Sequence, residues 1–235
     1  MANGFDMSGI DRSWAPFVES EAGFLEEIGK KIASDELCPE PGLILRFART
    51  DLAAAKVVIL GQDPYPQKGT ATGRAFEVGG LKSFLDPFPQ SSLKNILRLI
   101  YAAYSGECIG WTGLKEKIKD GSFGILPPDR LFSSWERQGV LLLNSSLSCR
   151  AGEPMSHMRL WQPFSERLIR YVTEEKPELC WFLWGKNAER AAHNVTGRRY
   201  VSRHPMLCGG KSEDDFLKNP CFYETKDLVS WTGVE

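Results

Sequence analysis

The sequence predicts an α/β fold: a single domain built on a central four-stranded parallel sheet flanked by helices on both faces. Two observations carry this. Three short apolar runs bounded by turn residues read as buried strands, a fourth short strand is expected at 199–202, and the stretches between them place apolar residues at helical spacing. Strand and helix in alternation means parallel strands joined by crossover helices. A third observation bears on function. Each run stops abruptly at a polar or turn-forming group, and in a parallel sheet such ends share one edge, where ligands bind.

The elements follow in order. Within residues 12–34, Phe24, Leu25, Ile28 and Ile32 fall at i, i+1, i+4 and i+8, the spacing of one helix face. Cys38-Pro39-Glu40-Pro41-Gly42 ends that region, and residues 43–49 read as a second short helical segment. Val57-Val58-Ile59-Leu60 is the first strand. It gives way to Gly61-Gln62-Asp63-Pro64-Tyr65-Pro66, where two prolines and a glycine forbid both helix and continuing strand. A carboxylate, an amide and a phenol thus sit on a stiff loop at a strand end. Gly69 and Gly73 permit close backbone approach or positive φ. Residues 79–92 are rich in Gly, Pro and Ser. A helix follows, with Leu93, Ile96, Leu97, Ile100, Tyr101 and Tyr104 on one face and Ser91 or Ser92 as its N-cap.

Residues 105–130, with their scattered glycines and Pro127-Pro128, read as loop. Residues 139–144 form the second strand, ending in Asn144, and residues 163–172 a helix. The third strand, 179–184, is closed by Gly185-Lys186, with helix expected from Asn187. The fourth, 199–202, runs into Arg203-His204-Pro205. Residues 216–231 carry weak helical spacing.

The totals bound the class. The chain has 235 residues, 42% hydrophobic and 25% charged, which suits one globular domain spanning 1–235 with a flexible N-terminus over 1–12. No run of about 18 apolar residues exists to span a membrane, and no secretory signal is visible. The six cysteines form no C-x-x-C pair or zinc spacing, so they read as buried free thiols in a reducing compartment. The expected location is the cytoplasm, or the nucleus in a eukaryotic or viral setting, with no secretion. A net charge of −1 argues against a surface coated for bulk nucleic-acid binding. Lys186, Arg190, Arg198, Arg199, Arg203 and Lys211 nonetheless make the second half locally basic.

No G-x-S-x-G elbow, P-loop or H-E-x-x-H is present. The strand ends instead bring together Gln62, Asp63 and Tyr65 from the first, Asn144 from the second, Gly185-Lys186 from the third and His204 from the fourth. One carboxylate, an amide that both donates and accepts, an imidazole and aromatic rings suit recognition of a planar amide-bearing ring.

The motifs resemble those of the uracil-DNA glycosylases, most closely the family-1 type. VVILGQDPYP at 57–66 resembles that family's water-activating motif, and GTATGRAF at 69–76 the segment ending in its base-stacking phenylalanine. PQSSLKNI at 89–96 is similar to its phosphate-clamping loop, and GVLLLNSSLSCR at 139–150 to the strand carrying its base-reading asparagine. SHMRLWQPF at 156–164, FLWGKNA at 182–188 and RHP at 203–205 are similar to three further segments.

The resemblance implies a monofunctional hydrolase that extrudes deoxyuridine from single- or double-stranded DNA and cleaves its N-glycosidic bond, releasing uracil and leaving an abasic site. It implies that Asp63 stabilises the sugar cation and orients water, while His204 donates to the developing uracil anion. Gln62 and Asp63 supply backbone N–H groups, and Tyr65 excludes a methyl at C5. Phe76 stacks on the base and Asn144 pairs with its edge. Ser91, Ser92, Lys186, Ser202 and Arg203 hold phosphates. Leu207, with Met206 second, fills the space of the flipped base. No metal or cofactor is implied, and the enzyme is expected to act as a monomer.

The chain departs from the family pattern in three places. Pro66 stands where histidine is usual, HPMLCGG replaces the usual His-Pro-Ser-Pro-Leu-Ser, and GKSEDDF at 210–216 is an acidic insertion. These departures motivate two alternatives: a uracil-recognising DNA-binding module with weak or lost catalysis, or a glycosylase for another deaminated or damaged base.

Overall fold

A computed structural model describes residues 5–209 and 212–234. Six strands occur among the described residues: β1 (Leu37–Cys38), β2 (Val57–Gly61), β3 (Val140–Asn144), β4 (Cys149–Arg150), β5 (Cys180–Trp184) and β6 (Arg198–Ser202). The helices are α1 (Ala15–Ser20), α2 (Ala22–Ile32), α3 (Ser91–Ser105), α4 (Trp111–Lys119), α5 (Pro128–Arg137), α6 (Met158–Glu175), α7 (Lys186–Ala191) and α8 (Cys221–Glu224). The main sheet has the order β3-β2-β5-β6, and every neighbouring pair is parallel.

Alternation along the strands explains the two covered faces, since successive side chains point to opposite sides. Val58, Leu60, Leu141, Leu143, Trp181 and Leu183 pack with Leu25, Ile28 and Ile32 of α2 and with Trp161, Phe164, Leu168 and Val172 of α6. Their neighbours Val57, Ile59, Val140, Leu142, Phe182 and Trp184 pack the other way. They meet Leu93, Ile96, Leu97 and Ile100 of α3, Leu131, Phe132 and Trp135 of α5, and Phe216, Phe222 and Trp231 from the tail. All five residues of β2, β3 and β5 are buried, as strands covered on both faces must be.

Several expectations need correction. Residues 105–130 contain α4 and the start of α5, not continuous loop. Gly110 is the N-cap of α4, and Pro127 and Pro128 are the N-cap and first residue of α5, so these residues mark helix starts. α6 begins five residues before Pro163, which sits inside it. Neither Ser91 nor Ser92 caps α3: Gln90 occupies the N-cap without a side-chain bond, and the serines are the first two helical residues. Residues 43–49 are not one helix, since 3₁₀ turns cover Pro41–Leu43 and Arg46–Arg49. The tail forms a 3₁₀ turn at Phe216–Lys218 and the four-residue α8. A two-stranded antiparallel ribbon of β1 and β4 was not legible in such short segments.

Part of the N-terminal segment expected to be flexible packs against the body. Phe5 is buried against Trp161, with ring centroids 5.9 Å apart, and the Asp11 side chain accepts a hydrogen bond from the Ser13 N–H. Residues 1–4 of that expectation, and residues 210 and 211 of the acidic insertion, lie outside the described residues.

Candidate active site

The parallel register places the ends of β2 and β3 side by side, with Gly61 opposite Asn144. Their approach is too close for any side chain at 61: a Cβ there would meet Asn144 Oδ1 at 2.2 Å and Ala75 Cβ at 3.0 Å. Glycine therefore lets the Asn144 carboxamide lie across the strand end. On the other side, Gly185 after β5 has φ +97, and a Cβ there would stand 3.1 Å from His204 Cβ. The loops around these ends enclose a cavity of about 310 Å³. Asp63, Tyr65, Phe76, Ser92, Asn144 and His204 line it.

Each polar group in this wall is set by its surroundings. Asp63 Oδ2 accepts a hydrogen bond of 2.7 Å from the Met155 N–H, while its buried Oδ1 has no hydrogen-bond partner among the described residues. Burial is the main cause that pushes its carboxyl up to about 6. The Met155 N–H and the nearby Ser146 hydroxyl pull partway back. The Tyr65 hydroxyl is buried with no partner among the described residues, and burial raises its pKa, keeping it a neutral phenol. Asn144 is only 7% exposed, yet its carboxamide makes no hydrogen bond among the described residues.

His204 Nδ1 accepts a 3.2 Å hydrogen bond from the Met206 N–H. An acceptor Nδ1 carries no proton, so the single proton of the neutral ring sits on Nε2 and is free to donate. Burial also lowers the pKa of His204, in the same direction. Phe76 stands 6.0 Å from this ring and 5.4 Å from Trp184, on a backbone with φ 64. A left-handed conformation costs a bulky L-residue about 1–2 kcal/mol.

A second, open groove of about 770 Å³ adjoins the first through Gln62 and His204. Lys186, Ser202, Arg203, Leu207 and Asp214 line it. Lys186 is the exposed first residue of α7, and Leu207 and Met206 are both about 60% exposed. Arg203 is engaged: its Nε lies 3.0 Å from an Asp214 oxygen. The Ser202 hydroxyl donates to the Arg203 carbonyl at 3.0 Å. Ser91 is half-buried, and Ser92 is buried at the cavity wall.

The structure thus brings together Asp63, Tyr65, Phe76, Ser92, Asn144 and His204, with Lys186, Ser202, Arg203 and Leu207 along the neighbouring groove. Gln62 borders both, but its side chain is committed elsewhere. Its Oε1 accepts from Asn187 Nδ2 at 2.5 Å, and its Nε2 donates to Met158 Sδ at 3.4 Å. Sequence reasoning missed Met155, whose backbone, at φ 63, holds Asp63. The Gly152-Glu153-Pro154 cluster before it signals a turn, but not what that turn touches. It also missed Arg74, which lines the cavity from a buried ion cluster. No group of three or more His, Cys, Asp or Glu side chains among the described residues is placed to hold a metal.

Comparison with known proteins supplies the class to which this fold and site belong. Residues 47–223 match the model of the Uracil DNA glycosylase superfamily, and the chain belongs to that superfamily. Among individual relatives, the uracil-DNA glycosylase of Pectobacterium carotovorum is 33% identical over 89% of this chain and 84% of its own length. That of Alkaliphilus metalliredigens is 28% identical over 97% and 95%. Among solved structures, mimivirus uracil-DNA glycosylase superposes with a TM-score of 0.65 at 26% identity, over 84% of this chain and 70% of that one. The UNG of Nitratifractor salsuginis superposes with a TM-score of 0.69, over 94% of this chain and 93% of that one. At 22% identity this likeness concerns the fold.

Proposed function

We propose that this protein is a DNA-repair hydrolase that removes uracil from DNA, with the 310 Å³ cavity as its base pocket. The observation that carries the reading is a matched set of unspent groups in one wall. Among the described residues the Asn144 carboxamide, Asp63 Oδ1 and His204 Nε2 make no hydrogen bond that satisfies them. Buried polar groups without partners are costly, and a planar ligand with donors and acceptors on its edge would satisfy them.

The extruded base enters with Phe76 on its face and the Asn144 amide on its edge. Uracil offers an acceptor and a donor to that amide, whereas cytosine places an amine where uracil has a carbonyl. The Tyr65 ring closes the side against a methyl at C5. Cleavage sends the bonding electrons from C1′–N1 into the uracil ring, where negative charge gathers on O2. The neutral His204 donates its Nε2 proton as a hydrogen bond to that oxygen. The sugar left behind is cationic at C1′, and the Asp63 carboxylate stabilises it. Water then bonds to C1′ and its proton passes to Asp63, completing hydrolysis.

Ser91, Ser92, Lys186, Ser202 and Arg203 contact phosphates, and Leu207 fills the vacated stack with Met206 beside it. The protein works on DNA as a monomer with its cysteines reduced, in cytoplasm or nucleus. Support comes from six thiols that are all free, and no helix among the described residues is long and apolar enough to cross a membrane. Single-lesion oligonucleotides carrying uracil, cytosine, thymine or hypoxanthine test the pocket. Release confined to uracil is expected, and preferential release of another base would overturn the assignment of Asn144 and Tyr65.

A further inference from the structure

Phe76 is held in the left-handed region, φ 64, although it is not glycine. Such a backbone persists only where its surroundings over-determine it. Here they are unusual. Arg74 and Glu77, two residues before and one after, are only 8% and 7% exposed. Arg74 Nη1 donates to both Glu77 carboxylate oxygens, at 2.9 and 3.1 Å, so the ion pair spans the turn that carries Phe76. Arg74 Nη2 donates to Ser133 Oγ at 3.1 Å and to Glu136, both on α5. Arg46 Nε approaches the other oxygen of Glu136 at 3.9 Å, and Arg46 Nη1 donates to the Thr72 carbonyl at 3.4 Å. The turn is tied to the sheet as well, because the Ala75 N–H donates to the Leu142 carbonyl of β3. Filling this space with apolar side chains would stabilise the fold at least as well as an ion cluster does, so its presence asks for another reason.

We propose that Arg74, clipped to Glu77 and anchored to α5 through Ser133 and Glu136, is a positioning residue. It keeps the Phe76 ring fixed against the cavity for stacking on the extruded base. This rests on the reading of Phe76 as the stacking ring. The planar guanidinium fork serves Glu77, Ser133 and Glu136 at once, which a lysine ammonium cannot do in the same geometry.

The test uses the full chain and the variants Phe76→Ala, Arg74→Lys, Glu77→Gln and the Arg74→Lys/Phe76→Ala double. The measurements are kcat/KM on a uracil oligonucleotide, inhibition by free uracil, and the salt dependence of DNA binding. Arg74→Lys is expected to lower kcat/KM by about tenfold to a hundredfold and to weaken uracil inhibition in parallel. The salt slope is expected to stay unchanged, since the Arg74 guanidinium is buried and already paired with Glu77 and Glu136. Glu77→Gln, which keeps the Arg74–Glu136 pair, shows a smaller loss of the same kind and decides the matter should Arg74→Lys not fold. The double variant is no slower than Phe76→Ala alone, because the ring to be positioned is already gone. Wild-type uracil inhibition in Arg74→Lys and Glu77→Gln, or losses that multiply with Phe76→Ala, would overturn the proposal. A Phe76→Ala variant with the wild-type rate would instead overturn the stacking role itself.

Discussion

In the role proposed for it, Asp63 trades stability for chemistry. In the unfolded chain this carboxyl ionises near 3.8; in the folded chain burial raises it to about 6. The folded state therefore holds the proton more tightly. The stability this group contributes is fully present below the unfolded value and is lost as pH rises through about 6. At neutral pH the ionised side chain is a net cost to the fold. Asp63→Asn is accordingly expected to abolish uracil release while raising stability by about 1–2 kcal/mol, a figure discounted because the cavity opens to water. Thermal denaturation at pH 7.5 checks it, and the gain should shrink toward pH 4. The same ionisation sets the acid limb of activity. Because the proposed role needs the carboxylate, kcat/KM should fall about tenfold per pH unit below about 6. Loss of the Nε2–H donor in His204→Ala should lower kcat by about a hundredfold, measured in single turnovers.

At the scale of elements, the site depends on strand ends coming closer than side chains permit. Gly61→Ala should push the Asn144 amide aside, given the 2.2 Å approach to Oδ1, and cost base recognition far more than fold. A rise in KM of at least about tenfold, with a near-native circular dichroism spectrum, is the expected result. The strands themselves were legible because residues such as Val57–Leu60 and Leu141–Leu143 are continuous apolar runs, which need no partner to be recognised. α4 and the start of α5 were not, because Gly110 and Pro127-Pro128 signal interruption and initiation with the same residues. Asp63, Asn144 and His204 were legible as strand-end groups. The Met155 contact was not, because a backbone N–H has no sequence signature. The Arg74 cluster joins positions about 60 residues apart, and no local pattern announces it.

For the whole molecule, a net charge of −1 must be reconciled with DNA as the ligand. If the groove beside the proposed base pocket takes the DNA strand, it offers few cations, Lys186 and Arg203, and Arg203 already faces Asp214. With two phosphates neutralised, the logarithm of the binding constant should fall against the logarithm of salt with a slope of about −2. Asp214→Asn frees Arg203 and should tighten DNA binding at low salt, with the advantage fading as salt rises. Fluorescence anisotropy on a labelled oligonucleotide measures both.

Uracil release from single- and double-stranded oligonucleotides carrying one deoxyuridine decides whether the Asp63–His204 pocket excises uracil. The wild-type chain should release free uracil and leave an abasic site, and the Asp63→Asn/His204→Ala double variant should release none above background. No release by the wild type, or release that continues unchanged in the double variant, would show that this pocket does not excise uracil.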